Sequence, residues 1–155
     1  NQQGEQAPEF KVEQWLSEPV DVQGKTRVIE FWATWCAPCK KAIPHINEYA
    51  RHFKNDVLFV SVSKENPTTV ENFLKTTPMN YGVAVDTQST MKDAIACIGI
   101  PLSLVVSSDG IVRWQGNPLN LSKQIIQQIV SADRGERVVV KRGRWEFEER
   151  VESKK

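Results

Sequence analysis

A chain of 155 residues is about one domain's worth, and 40% apolar with 25% charged residues is the make-up of an ordinary globular protein with its own core. Twenty Lys and Arg against 19 Asp and Glu leave a formal charge of +1, which excludes the strong basic field of a nucleic-acid or anionic-membrane binder. No apolar run approaches the roughly 18 residues of a spanning helix, and Asn1–Pro8 is too polar for a signal peptide's apolar region, so any targeting or anchoring segment is expected to have been removed or never present.

Polar residues lead to Phe10, and Val12, Trp15 and Leu16 then suggest a strand followed by a helical turn. After a turn at Gln23-Gly24-Lys25, Arg27–Ala33 is rich in β-branched and aromatic residues and reads as a buried strand that ends at Cys36-Ala37-Pro38-Cys39. From Cys36 to about Phe53, Ile43, Ile46, Ala50 and Phe53 recur at helical spacing, with Pro44 inside and a kink expected there. Val57–Val62 is a second buried strand, and Asn66-Pro67 supplies a capping residue and an N1 proline for a helix over about 67–76. A strand at Val83–Val85 and a helix over about Ser89–Cys97 follow. Beyond Gly99-Ile100-Pro101, Leu102–Val106 and Ile111–Trp114 flank Asp109-Gly110 as a hairpin, and Ile125, Ile126, Ile129 and Val130 mark a last helix over about 121–132. The alternation predicts an α/β sandwich whose central mixed sheet has parallel pairs in the middle, an antiparallel hairpin at one edge, and flanking helices. This domain, with its N-terminal extension, occupies 1–133. The tail over 134–155 has 13 charged residues in 22. Val138–Val140 and Trp145–Glu148 could pair there as a hairpin about Arg142-Gly143, held on the domain, loosely ordered, or used as a docking arm.

Three cysteines cannot form a stapling framework, and a structural zinc site would need four ligands where only Cys97, His45 and His52 stand beside the pair, so no metal is expected. A redox cysteine must be held as thiolate, and a helix N-terminus provides orphan N–H groups and a partial positive charge. If the helix starts at the pair, Cys36 is the exposed attacking sulfur. Cys39, nearly one turn on, is then the recessed resolving one. Cys-x-x-Cys beside a strand–helix unit is the general signature of a thioredoxin-like redox motif; the competing reading is a surface pair without catalysis. Glu30, amid Val28, Ile29, Phe31 and Trp32, is either a buried acid with a raised pKa that accepts the Cys39 proton, or a surface residue on an alternating strand. Cys97 reads as core packing, with a third redox thiol as the alternative. His45 and His52 share one face of the long helix in surface roles.

The segment Phe31-Trp32-Ala33-Thr34-Trp35-Cys36-Ala37-Pro38-Cys39-Lys40 closely resembles the active site of the thioredoxin superfamily, especially its extracytoplasmic TlpA/ResA-like branch. Ala7-Pro8-Glu9-Phe10, the position of Pro44, Gly99-Ile100-Pro101 and Asp109-Gly110 extend the resemblance over roughly 7–132. It implies a thioredoxin-like fold, Pro101 as a cis-proline facing Cys36, an Ile100 backbone that hydrogen-bonds an extended substrate, and Glu30 as the buried proton shuttle. Trp35, Ala37 and Pro38 would complete the substrate-contacting rim. The chain departs from the branch at Ala42, where Glu is frequent, and from thioredoxins at Leu102, where Thr is usual. The activity so implied is thiol–disulfide exchange with cysteines of partner proteins, as a reductant in an extracytoplasmic bacterial compartment. No cofactor is expected beyond a Cys36–Cys39 disulfide, and the expected state is a monomer that serves a redox partner protein and no nucleic acid. The alternatives are a disulfide oxidase or isomerase of the same fold and a copper-binding module. The copper reading is disfavoured by the two-residue spacing and by the lack of a His after His52. A peroxidase is disfavoured because Trp35 precedes a paired motif, so the chain is expected not to consume peroxide.

Overall fold

The computed structural model describes residues 1–95 and 99–135 in full, and the backbone of 137–141 and 144–148. Six strands form one mixed sheet: β1 (Gln14–Trp15), β2 (Arg27–Phe31), β3 (Leu58–Ser63), β4 (Gly82–Val85), β5 (Leu102–Val106) and β6 (Val112–Gly116), in spatial order β1-β4-β3-β2-β5-β6. The parallel run β4-β3-β2 needs crossovers, which α1 (Ala37–His52) and α2 (Pro67–Leu74) provide; β5 and β6 are an antiparallel hairpin. Every residue of β2 is buried, as a central strand requires. Its carboxyl end, where α1 begins, lies beside the start of β5, with Phe31 opposite Leu102.

Strand alternation divides the core. Val28 packs with Ile46, Ala50 and Phe53 of the α1 segment and with Ile126, Ile129 and Val130 of α4 (Lys123–Asp133). Ile29 and Phe31 face the other way, toward Val22, Met91 and Ile95, where the N-terminal segment and the short α3 (Thr90–Ala94) cover the sheet. Helix α4 is capped by Ser122, whose side chain accepts the Ile125 N–H. Ser122→Ala is therefore expected to lower stability by about 1 kcal/mol in urea denaturation, with activity unchanged.

Several elements depart from the sequence reading. The N-terminal segment makes no helical turn; its one regular element is β1, paired with β4, because backbone groups offered by an open sheet edge outbid a local turn. Helix α1 contains Pro44, as expected, and continues past it to His52. Asn66 precedes α2 as expected, but its side chain makes no capping hydrogen bond. Helix α3 covers only Thr90–Ala94 of the expected 89–97, and Cys97 lies outside the described residues. In the tail the expected pairing is present: β7 (Arg137–Lys141) and β8 (Arg144–Glu148) pair antiparallel as a separate two-stranded sheet, and the expected turn at 142–143 lies outside the described residues.

Candidate active site

Cys36 sits immediately before α1 in extended conformation and caps it: its Sγ accepts the Cys39 N–H at 3.3 Å. Its own N–H donates to the Ala33 carbonyl at 3.2 Å, closing the turn between β2 and α1. Pro38 falls in the first helical turn, where its missing N–H costs nothing. The i, i+3 spacing then brings Cys39 onto the face of Cys36, and the two are joined in a disulfide with Cα atoms 5.2 Å apart. The Cys39 N–H of the first turn thus points at the sulfur expected to carry charge when the bond opens.

One expectation is corrected. Cys36 is only 4% exposed, against 1% for Cys39, so the pair differs little in exposure when the disulfide is closed. The cause is packing: Trp32, Val70, Val83 and Val85 form a common cluster with both cysteines, and Ile100 lies against it. What stands open around the sulfurs is the rim of Trp35, at 69% exposure, with Ala37 and Pro38.

The even choice over Glu30 is resolved toward burial. The residue is 1% exposed, and neither carboxyl oxygen meets a hydrogen-bond donor among the described residues. By alternation it shares the sheet face of Val28, packed under α1, and of Trp32, packed with Cys39. Burial pushes its carboxyl up to about 8, into the range of a thiol. Across the ladder Glu30 stands opposite Ser61 on β3 and Ser103 on β5, and the Ser103 hydroxyl is likewise buried without a partner among the described residues.

The Ile100–Pro101 peptide is cis and leads directly into β5. Ile100 and Gly99 join Trp35, Trp32, Lys64 and Lys92 in lining a cavity of about 310 Å³, whose walls include the residues on either side of Thr34 but neither cysteine. The three parts of the predicted site, the Cys36–Cys39 pair, the buried Glu30 and the loop of Pro101, thus converge at one end of the sheet. His45 and His52 are exposed on α1. Among the described residues no three His, Cys, Asp or Glu side chains gather as a metal site.

Sequence reading missed Glu65. Its carboxylate accepts hydrogen bonds from the Thr34 N–H at 2.8 Å, the Thr34 hydroxyl at 2.7 Å and the Ser63 hydroxyl at 2.8 Å. The only local signal was Ser63-x-Glu65 at the end of a strand; the Thr34 contact spans 31 residues and exists because β2 and β3 pair in parallel.

Residues 3–115 match the AhpC/TSA family. The chain is 32% identical to the thiol-disulfide oxidoreductase ResA of Bacillus subtilis over 116 residues, which is 71% of this chain and 64% of that relative's length. It superposes on a Chlorobium tepidum structure assigned as the thiol:disulfide interchange protein DsbE with TM-score 0.71 at 24% identity, covering 84% of this chain and 96% of that one. A second structure, a thiol:disulfide interchange protein of the thioredoxin family from Chlorobium tepidum TLS, gives TM-score 0.59 at 28% identity, covering 72% and 81%. The architecture is thioredoxin-like.

Proposed function

We propose that this chain, which belongs to the AhpC/TSA family, is a thiol–disulfide oxidoreductase that works outside the cytoplasm as a reductant of disulfides in partner proteins. The observation that carries the reading is the Cys36–Cys39 disulfide lying across the first turn of α1, with the Cys36 sulfur already accepting a backbone N–H. A group so placed is held more easily as thiolate, which makes Cys36 both the better nucleophile and the better leaving group.

In the reduced protein the Cys36 thiolate attacks one sulfur of the partner's disulfide. A mixed disulfide forms, and the partner's other sulfur leaves as a thiolate. Cys39 then gives its proton to Glu30 and attacks the Cys36 sulfur, closing the internal disulfide and releasing the partner's second sulfur as a thiolate. The partner's disulfide has gained two electrons, and its two thiolates take their protons from water. A redox partner protein resets the pair by the reverse path, with protonated Glu30 returning its proton to the departing Cys39. The rim of Trp35, Ala37 and Pro38 and the backbone of Ile100 before Pro101 hold the partner's extended segment, and the cavity lined by Trp35 and Ile100 takes side chains flanking its cysteine. Likeness to ResA over the larger part of the chain, and to the extracytoplasmic branch at Trp32–Lys40, supports the compartment, one in which disulfides persist. No helix among the described residues is long and apolar enough to cross a membrane.

Direction is tested by the reduction potential, measured against a dithiothreitol or glutathione series. Thioredoxin-like dithiols span about −270 to −120 mV, and a reductant lies toward the low end. A value near the high end would make the protein a disulfide oxidase and overturn the reductant reading.

A further inference from the structure

We propose that Glu65 is a positioning residue for disulfide exchange, a clamp that fixes the turn carrying Trp35 and Cys36; the inference rests on Cys36 being the attacking sulfur. Thr34 lies two residues before Cys36. Both its backbone N–H and its hydroxyl donate to Glu65, to different carboxylate oxygens, at 2.8 and 2.7 Å. The carboxylate is itself held from behind, since the Ser63 hydroxyl donates to it at 2.8 Å and the Glu65 N–H donates to that same Ser63 oxygen at 3.1 Å. This ties the β2–α1 turn to the carboxyl end of β3 through charge-assisted bonds, roughly twice as strong as neutral ones.

Packing alone does not hold this turn. Trp35 is 69% exposed, so its side chain contributes little burial, and Thr34 itself is only half-buried. What sets the direction of Trp35 and the approach to Cys36 is the backbone, fixed on one side by the Glu65 clamp and on the other by the Cys36 N–H to Ala33 bond. Glu65 stands between β3 and α2, outside the three apolar clusters, so its loss should spare the core.

Exchange with a disulfide-bonded protein substrate and amide hydrogen exchange at Thr34 test the clamp on the full chain. Glu65→Ala should keep native circular dichroism, expose the Thr34 amide to exchange, and lower kcat/KM about tenfold, the scale of a small misplacement of reacting groups. Glu65→Gln should stay within about twofold of the parent, because an amide can bond the same three groups. If Glu65→Ala fails to fold, Thr34→Val, which removes only the hydroxyl bond, should still lower kcat/KM about threefold as one of two contacts is lost. Parental rates in folded Glu65→Ala, or an equal loss in Glu65→Gln, would overturn the proposal. A parent that exchanges no disulfides at all would instead overturn the proposed function, while Thr34 protection would still report whether the clamp exists.

Discussion

Cys39→Ser is expected to accumulate a covalent adduct with a disulfide-containing protein, visible on non-reducing gels and lost on reduction, whereas Cys36→Ser accumulates none and loses turnover altogether. The asymmetry comes from the helix. Cys36 caps α1 and accepts a first-turn N–H, so charge on its sulfur is stabilised, while Cys39 is already inside the helix, where that stabilisation falls away. Once Cys36 has formed a mixed disulfide, the thiol among the described residues placed to cleave it is the one i+3 along the same face, and removing it takes away that fast exit. The near-equal burial of the two sulfurs in the oxidised protein makes the gel experiment informative, since exposure by itself would not separate them. Adducts on Cys36→Ser and none on Cys39→Ser would invert the assignment.

The second large effect belongs to Glu30. In the folded protein its carboxyl rises from an ordinary 4.5 to about 8 through burial, while in the unfolded chain it returns to the ordinary value. The folded state therefore binds the proton more tightly. The stability this residue allows is fully present below pH 4.5 and is lost as pH rises toward about 8, by about 5 kcal/mol over the window and about 3 kcal/mol by pH 7. Glu30→Gln, nearly isosteric and unable to ionise, should escape that loss. The variant should be more stable than the parent by about 3 kcal/mol at pH 7 and equal to it near pH 4.5, as read from paired urea titrations. The same change removes the proton acceptor and donor for Cys39. Resolution of the mixed disulfide should slow by about 10²-fold, the low end of general acid–base effects. It should also lose the pH dependence that the parent shows around 8. A variant more stable yet slower is the pattern expected of a site that holds a destabilising group for function. Equal rates across pH 6–9 would reduce Glu30 to a structural acid.

The site was legible in the sequence where it depends on neighbours along the chain. Cys36-Ala37-Pro38-Cys39 after an apolar strand and before a 3.6-residue periodicity fixes a pair on a helix N-terminus, and α1 begins at Ala37 with Cys36 as its cap. The order of strands and helices followed from the same periodicities, and the mixed sheet has its parallel run and its hairpin where they placed them. Contacts between distant segments were not legible. Whether Glu30 points in or out depends on which face of β2 meets α1, and pattern alone left that even. The Glu65 clamp requires β2 and β3 to be paired in parallel before Thr34 and Glu65 become neighbours. Val12, Trp15 and Leu16 announced a strand, and β1 lies there, but its partner β4, some 70 residues on at Ala84 and Val85, was not legible, and the helical turn expected after it is absent. The burial of Cys36 is a further case, because Val70, Val83 and Val85 reach it from elements remote in sequence.

The most direct test of the central claim is the order in which the cysteines of the reduced, folded protein react with iodoacetamide, followed by peptide mass spectrometry across pH 5–9. If the helix terminus makes Cys36 the working thiolate, Cys36 is labelled first, with a midpoint clearly below the roughly 8.5 of a free thiol. First labelling of Cys39 or Cys97, or a Cys36 midpoint at or above the free-thiol value, would contradict the account.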